Sequence, residues 1–114
     1  MLRWTLPVLI LLAACSKGPE ADLPSIQQAR SLGAEWALVN EQAATGRLTS
    51  TYVATMHRQL RQNLRTTEQS LSDPHASYAA EIRALLGEDD DASPDRLRAH
   101  VAALKQIEDH LESA

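Results

Sequence analysis

From residue 25 onward the large apolar side chains recur at steps of three and four, the spacing of one face of an α-helix. Ser25 and Gln28 have capping-box spacing, and Ala29, Leu32, Trp36, Val39 and Ala43 then share a face until Thr45-Gly46 supplies a stop. Thr49 reads as the cap of a second helix, with Leu48 and Val53 at hydrophobic-staple spacing and a stripe running through Met56, Leu60, Leu64, Thr67 and Leu71. Asp73-Pro74 predicts the start of a third helix, whose inner face is Tyr78, Ala79, Ile82, Leu85 and Leu86 and whose end is Gly87. Ser93-Pro94 repeats that start signal, and Leu97, Val101, Leu104, Ile107 and Leu111 line a fourth helix.

No stretch after residue 15 alternates with period two, so the expected class is all-α. Short connections predict antiparallel neighbours, and a small bundle of about four helices over residues 25–114 buries all four faces. A helical hairpin crossed by two shorter helices, or a dimer, would bury them too. The expected principal core is Leu32, Trp36, Met56, Leu60, Leu64, Ile82, Leu97, Leu104 and Leu111. Leu38 points away from Leu32, Trp36 and Val39, so it belongs either to a second packing contact or to a partner.

Residues 1–14, MLRWTLPVLILLAA, break this pattern with a short basic n-region, an apolar stretch and two alanines, the grammar of a signal peptide. The stretch from Trp4 to Leu12 falls well short of the roughly 20 apolar residues that a membrane span needs, and Pro7 interrupts it. Leu12-Ala13-Ala14-Cys15 resembles the lipobox of bacterial lipoprotein precursors at every position, a likeness confined to residues 1–16. The resemblance implies cleavage before Cys15, diacylglycerol on its sulfur and acylation, such as palmitate, of the new N-terminus. It also implies anchoring to the membrane through those acyl chains, since two or more chains hold a protein stably where one does not. Ser16, in place of Asp, implies release to the outer membrane, and nine arginines against two lysines suggest a GC-rich, Gram-negative host. Residues 15–24, with two prolines and a glycine, then read as a lipidated tether that keeps the body close to the bilayer.

Charge narrows the function classes. From Cys15 onward ten basic side chains face fifteen acidic ones, a formal charge of −5, which argues against nucleic acid. Twenty-two apolar residues larger than Ala in that stretch are enough for one modest core. Cys15, the only cysteine, has no partner for an internal disulfide, and acylation removes the liability of a free thiol.

Candidate chemistry is sparse. There is no Glu-x-x-His pair of the di-iron bundles, no His pair at i, i+4, no Gly-rich phosphate loop and no Ser-x-x-Lys. Glu88-Asp89-Asp90-Asp91 fails the calcium-loop spacing, because the sixth position from Asp89 is Pro94, and reads as a solvated loop ahead of a helix N-terminus. His100 falls at the edge of the fourth helix's apolar face, while His57, His75 and His110 read as surface residues. Arg58, Arg61 and Arg65 form a basic stripe opposite Met56, Leu60 and Leu64, suited to an acidic partner or anionic headgroups or to no more than a solvated face.

The expected protein is thus a membrane-anchored envelope lipoprotein at the periplasmic face of the outer membrane. No cofactor, metal or catalytic residue is expected, and its helical body binds an envelope protein or the nearby surface. Pilotin lipoproteins of secretion systems are similar in size, anchor and helical content, without a shared motif. A small enzyme or metal carrier using His100 with neighbouring carboxylates is the competing class.

Overall fold

The computed structural model describes residues 19–113, so the expected signal peptide, Cys15 and the first part of the expected tether lie outside the described residues. The chain enters through a 3-10 turn, Pro19–Asp22, and continues as α1 (Leu23–Ala44), α2 (Ser50–Gln69), α3 (Ser77–Leu86) and α4 (Pro94–Glu112). It is all-helical, with no strand among the described residues. Each helix packs on its neighbours in a closed order, α1 on α2, α2 on α3, α3 on α4 and α4 back on α1, whereas α2 and α4 do not meet. Early residues of α1 reach late residues of the helices beside it, as in Ser25 with Ser70 of the α2 end and Arg30 with Glu108. Late residues of α1 reach early ones, as in Asn40 with His57 and Glu41 with Arg98.

The helix ends follow local chemistry, with two corrections. Thr49 caps α2 by accepting from the Tyr52 amide at 3.1 Å, and Ser93 caps α4 by accepting from Arg96 at 3.2 Å. Gly46 takes the left-handed conformation, φ 73°, that ends α1. The Ser25–Gln28 capping box does not form, because α1 already begins at Leu23 with Pro24 in its first turn, so the helix takes in two residues read as tether. The third helix starts at Ser77 instead of Pro74. Asp73 spends its side chain on the His75 amide at 3.0 Å, a local turn that competes with helix, and its own N–H goes to Asp22.

Asp22 is the reason the entry turn belongs to the body. Its carboxylate is 2% exposed and accepts from the Ser72 amide at 2.8 Å, the Asp73 amide at 3.2 Å and the Tyr78 hydroxyl at 2.6 Å. Desolvation opposes its charge, yet the hydrogen bonds from Tyr78, Ser72 and Asp73 outweigh that cost and hold the carboxyl below its ordinary value. Burial and the same carboxylate push the Tyr78 phenol up.

The core runs along α1, where Ile26, Ala29, Leu32, Trp36 and Ala37 are all buried, and takes Leu60 and Leu64 from α2, Tyr78, Ile82 and Leu85 from α3, and Leu97 and Leu104 from α4. Met56 and Leu111, expected in the core, are only partly buried and pack against its edge. Leu38 is half exposed, on the side of α1 that no helix covers.

At Gly33, α1 and α4 come so close that an added Cβ would lie 2.9 Å from Val101 Cγ2 and 3.2 Å from Leu85 Cδ2. Gly33→Ala gains about 1 kcal/mol of helix propensity. The overlap with a β-branched, stiff neighbour costs more, so the variant is expected to lose about 1 kcal/mol net. In a Val101→Ala background most of that loss should vanish. Urea denaturation of the four combinations measures the coupling, and simple additivity would refute the close contact.

Candidate functional site: the groove along α2

An α-helix turns about 100° per residue, which puts His57 and Leu64 within about 20° of each other on the inner face of α2, and Arg61 only some 40° to 60° from them. Arg58 and Arg65 lie a further 40° to 60° outward. The three arginines expected to form one outward stripe therefore divide. Arg61 does not face away from the core; its side chain is 19% exposed and threads into the connection between α3 and α4. There Nε donates to Asp90 Oδ1 at 2.6 Å, Nη1 to the Leu86 carbonyl at 2.7 Å, and Nη2 to the Glu88 carbonyl. Its guanidinium also lies 4.8 Å from the centre of the Trp36 ring, within cation–π range.

Residues of α1 complete the same fastening. Trp36 Nε1 donates to the Asp90 carbonyl at 3.0 Å, and Asn40 Nδ2 donates to the carbonyls of Asp90 at 2.9 Å and Ala92 at 2.8 Å. Those two acceptors fix the orientation of the Asn40 amide, so its oxygen must accept, and His57 Nε2 donates to it at 2.7 Å. His57 is thus 9% exposed and structural, a correction to its reading as a surface residue. Spacings of four, three and four from Val53 through His57 and Leu60 to Leu64 could have revealed this. The acidic run 88–91, expected to be a solvated loop, is solvated only in part: its backbone is tied to two helices.

Outside this fastening lies an open groove of about 760 Å³ along α2. Ala43, Leu48, Val53 and Ala54 supply its apolar surface, Arg58, Arg61 and Arg65 line it, and His57 and Asp90 complete the wall. The structure thus does bring the three arginines together, with Arg61 as part of the frame and Arg58 and Arg65 exposed at the rim. A smaller cleft of about 310 Å³ shares Ala43, Val53 and His57 with it and reaches Ala92 and Pro94.

His100 forms a second polar cluster at the α3–α4 contact. Nδ1 lies 2.5 Å from Glu81 and Nε2 2.6 Å from Glu88, which also pairs with Arg96 at 2.9 Å. Two carboxylate acceptors require two ring donors, the imidazolium. Partial burial works against that charge, but the hydrogen bonds and charges of Glu88 and Glu81 outweigh it and raise His100 above its ordinary 6.5. The bond from His100 correspondingly holds Glu88 below its ordinary 4.5, against the desolvation that would raise it. Glu81 and Glu88 sit on opposite edges of the ring and do not converge on a shared point. Among the described residues no group of three or more His, Cys, Asp or Glu could hold a metal ion. Among the same residues, no helix is long and apolar enough to cross a membrane.

Compared with known proteins, the chain matches no family model, no curated protein and no solved structure. Its site is therefore read from its own geometry.

Two measurements test that geometry. Arg61→Met keeps the stem but leaves the Leu86 and Glu88 carbonyls and Asp90 without their donor; bonds to a charged group are worth about 1.5 to 3 kcal/mol, so a loss of that size is expected in urea denaturation. Arg58→Met and Arg65→Met should stay within about 0.5 kcal/mol of the parent. Equal effects at all three positions would disprove the division of the stripe.

The pH dependence carries its own sign. Because His100 is raised in the folded state, its stabilisation is complete below 6.5 and fades as pH rises through the folded value. Glu88 is lowered, so its stabilisation is complete above 4.5 and fades as pH falls through its folded value. The cluster therefore stabilises most between about pH 4.5 and 6.5. Melting curves should show the parent losing stability relative to His100→Gln as pH is raised from 6 to 9, and a parallel pair of curves would contradict the ionised cluster.

Proposed function

We propose that this chain is an envelope lipoprotein, held by acyl chains on Cys15 at the periplasmic face of the outer membrane. In this reading its helical body acts without catalysis, by docking a partner in the groove along α2. One observation carries the docking part. Arg30, Arg61, Arg83, Arg96, Arg98 and Lys105 each face a carboxylate, whereas Arg58 and Arg65, both on the groove, have no side-chain hydrogen bond or ion pair among the described residues. Two uncommitted guanidinium groups beside partly exposed apolar side chains favour an acidic ligand. The non-catalytic reading is supported by the commitment of the groove's polar wall: His57 donates to Asn40, and Arg61 is spent on loop acceptors. The anchor rests on the lipobox Leu12-Ala13-Ala14-Cys15 and on stable membrane attachment by two or more acyl chains.

Mass spectrometry of the mature protein from its native envelope tests the anchor: the N-terminal peptide should begin at Cys15 with added acyl mass, and Cys15→Ala should accumulate uncleaved precursor. A soluble, unacylated mature form would defeat the envelope reading.

A further inference from the structure

Resting on that reading, we infer that the α2 groove receives an acidic, amphipathic helix of a second protein, not the lipid surface, and that its apolar floor lies at the end of the body far from the tether. Pro19 is only four positions after Cys15, a reach of at most about 14 Å. The entry turn is bound through Asp22 to Ser72, Asp73 and Tyr78, so the corner between α2 and α3 is the end of the body nearest the anchor. From that corner α2 runs away, since Ser25 near the start of α1 meets Ser70 while Asn40 near its end meets His57. A rise of 1.5 Å per residue sets Arg65, Arg58 and Val53 about 8, 18 and 26 Å from Ser70 along the helix. Leu48 and Val53, the largest apolar side chains of the groove, are therefore the farthest of its lining from the tether.

Charge separates protein from lipid in the same direction. Arg47, in the turn ahead of α2, joins Arg58 and Arg65 as a cation with no side-chain partner, and these three are the only such Lys or Arg among the described residues. The single acidic residue of α2, Glu68, is taken by Arg83. The body as a whole is acidic, −5 from Cys15 onward, so an anionic bilayer repels the domain overall while three arginines attract it locally. A protein helix suffers no such conflict: apolar residues can enter between Leu48 and Val53 while its acidic residues reach the rim. Arg58 and Arg65 are seven residues apart, about 10 Å along α2, which matches carboxylates seven positions apart on a helix lying alongside.

The test uses the full chain in neutral detergent micelles and in nanodiscs. The probe is a dye-labelled 20-residue helical peptide with a leucine face, glutamates seven apart on its flank and one photo-leucine; a control peptide carries lysines in place of the glutamates. Saturable binding of the glutamate peptide is expected by fluorescence anisotropy, with photo-crosslinks mapping to residues 43–58. Arg58→Glu/Arg65→Glu should weaken it at least tenfold with an unchanged melting curve, and the lysine peptide should bind at least tenfold more weakly than the glutamate peptide. No saturable binding, equal binding of the two peptides or indifference to the double variant overturns the inference. Nanodiscs of phosphatidylcholine and of phosphatidylglycerol should support equal peptide binding; loss of binding in the anionic discs assigns the groove to lipid and overturns it too. The micelle measurements need no acyl group. An unacylated Cys15 therefore defeats the envelope reading alone, and failure of the peptide with Cys15 acylated defeats the groove alone.

Discussion

The connection between α3 and α4 has no hydrogen-bond ladder of its own, and the position of half the bundle depends on how its backbone is satisfied. Three of its carbonyls, those of Glu88, Asp90 and Ala92, together with that of Leu86 at the end of α3, are met by side chains from α1 and α2: Arg61, Trp36 and Asn40. A carbonyl left unpaired in a buried place costs free energy comparable to a lost hydrogen bond, so these bonds do more than decorate the loop. α3 has only ten residues, too few to hold a helical conformation without tertiary support. By gripping the chain at the end of α3 and just before α4, Arg61 and Asn40 fix the end of one helix relative to the start of the next.

The opposite end of the body uses the same device with the charges exchanged. There a buried carboxylate, Asp22, gathers two amides from the α2–α3 connection and the Tyr78 phenol of α3. Between the two ends lies a dry layer of Ile26, Leu32, Leu64, Ile82 and Leu104. Apolar contacts of this kind are non-directional and tolerate sliding of one helix along another. The polar anchors at both ends do not, because removing either partner leaves an uncompensated buried group.

What the sequence made legible follows from which of these forces is periodic. Helical stripes such as Leu60–Leu64 and Leu97–Leu104 obey a 3.6-residue rule, and caps such as Thr49 and Ser93 obey short local rules, so the four helices and most of the core were readable. The fastenings pair residues 17 to 56 positions apart, as in Asn40 with His57 and Asp22 with Tyr78, and no local pattern announces them. That is why Asp22 reads as tether and His57 as surface until the fold brings their partners alongside. Tertiary demand also displaced the start of α3, where Asp73 is claimed by Asp22 and by its own turn before it can cap a helix. Of the groove, the arginines were visible as a stripe, but its apolar floor was not, because Leu48 and Val53 also satisfy the staple spacing that explains them locally.

The split fate of the arginine stripe explains how a small acidic body can present a basic groove at all. Arg61, at the boundary between core and solvent, is immobilised when the chain folds, and in doing so it draws the acidic connection against α2 and shapes one wall. Its charge is largely spent there, on Asp90 and on carbonyl dipoles. Arg58 and Arg65, one turn on either side, keep both their charge and their freedom; each still has rotamer entropy to lose, roughly 0.5 to 1.5 kcal/mol, when a ligand orders it. Form and attraction are thereby carried by different residues of one helix. Shape is fixed by folding, while charge stays available on side chains that could follow the carboxylates of the proposed partner, and this division would let the groove be rigid where it is apolar and adaptable where it is ionic.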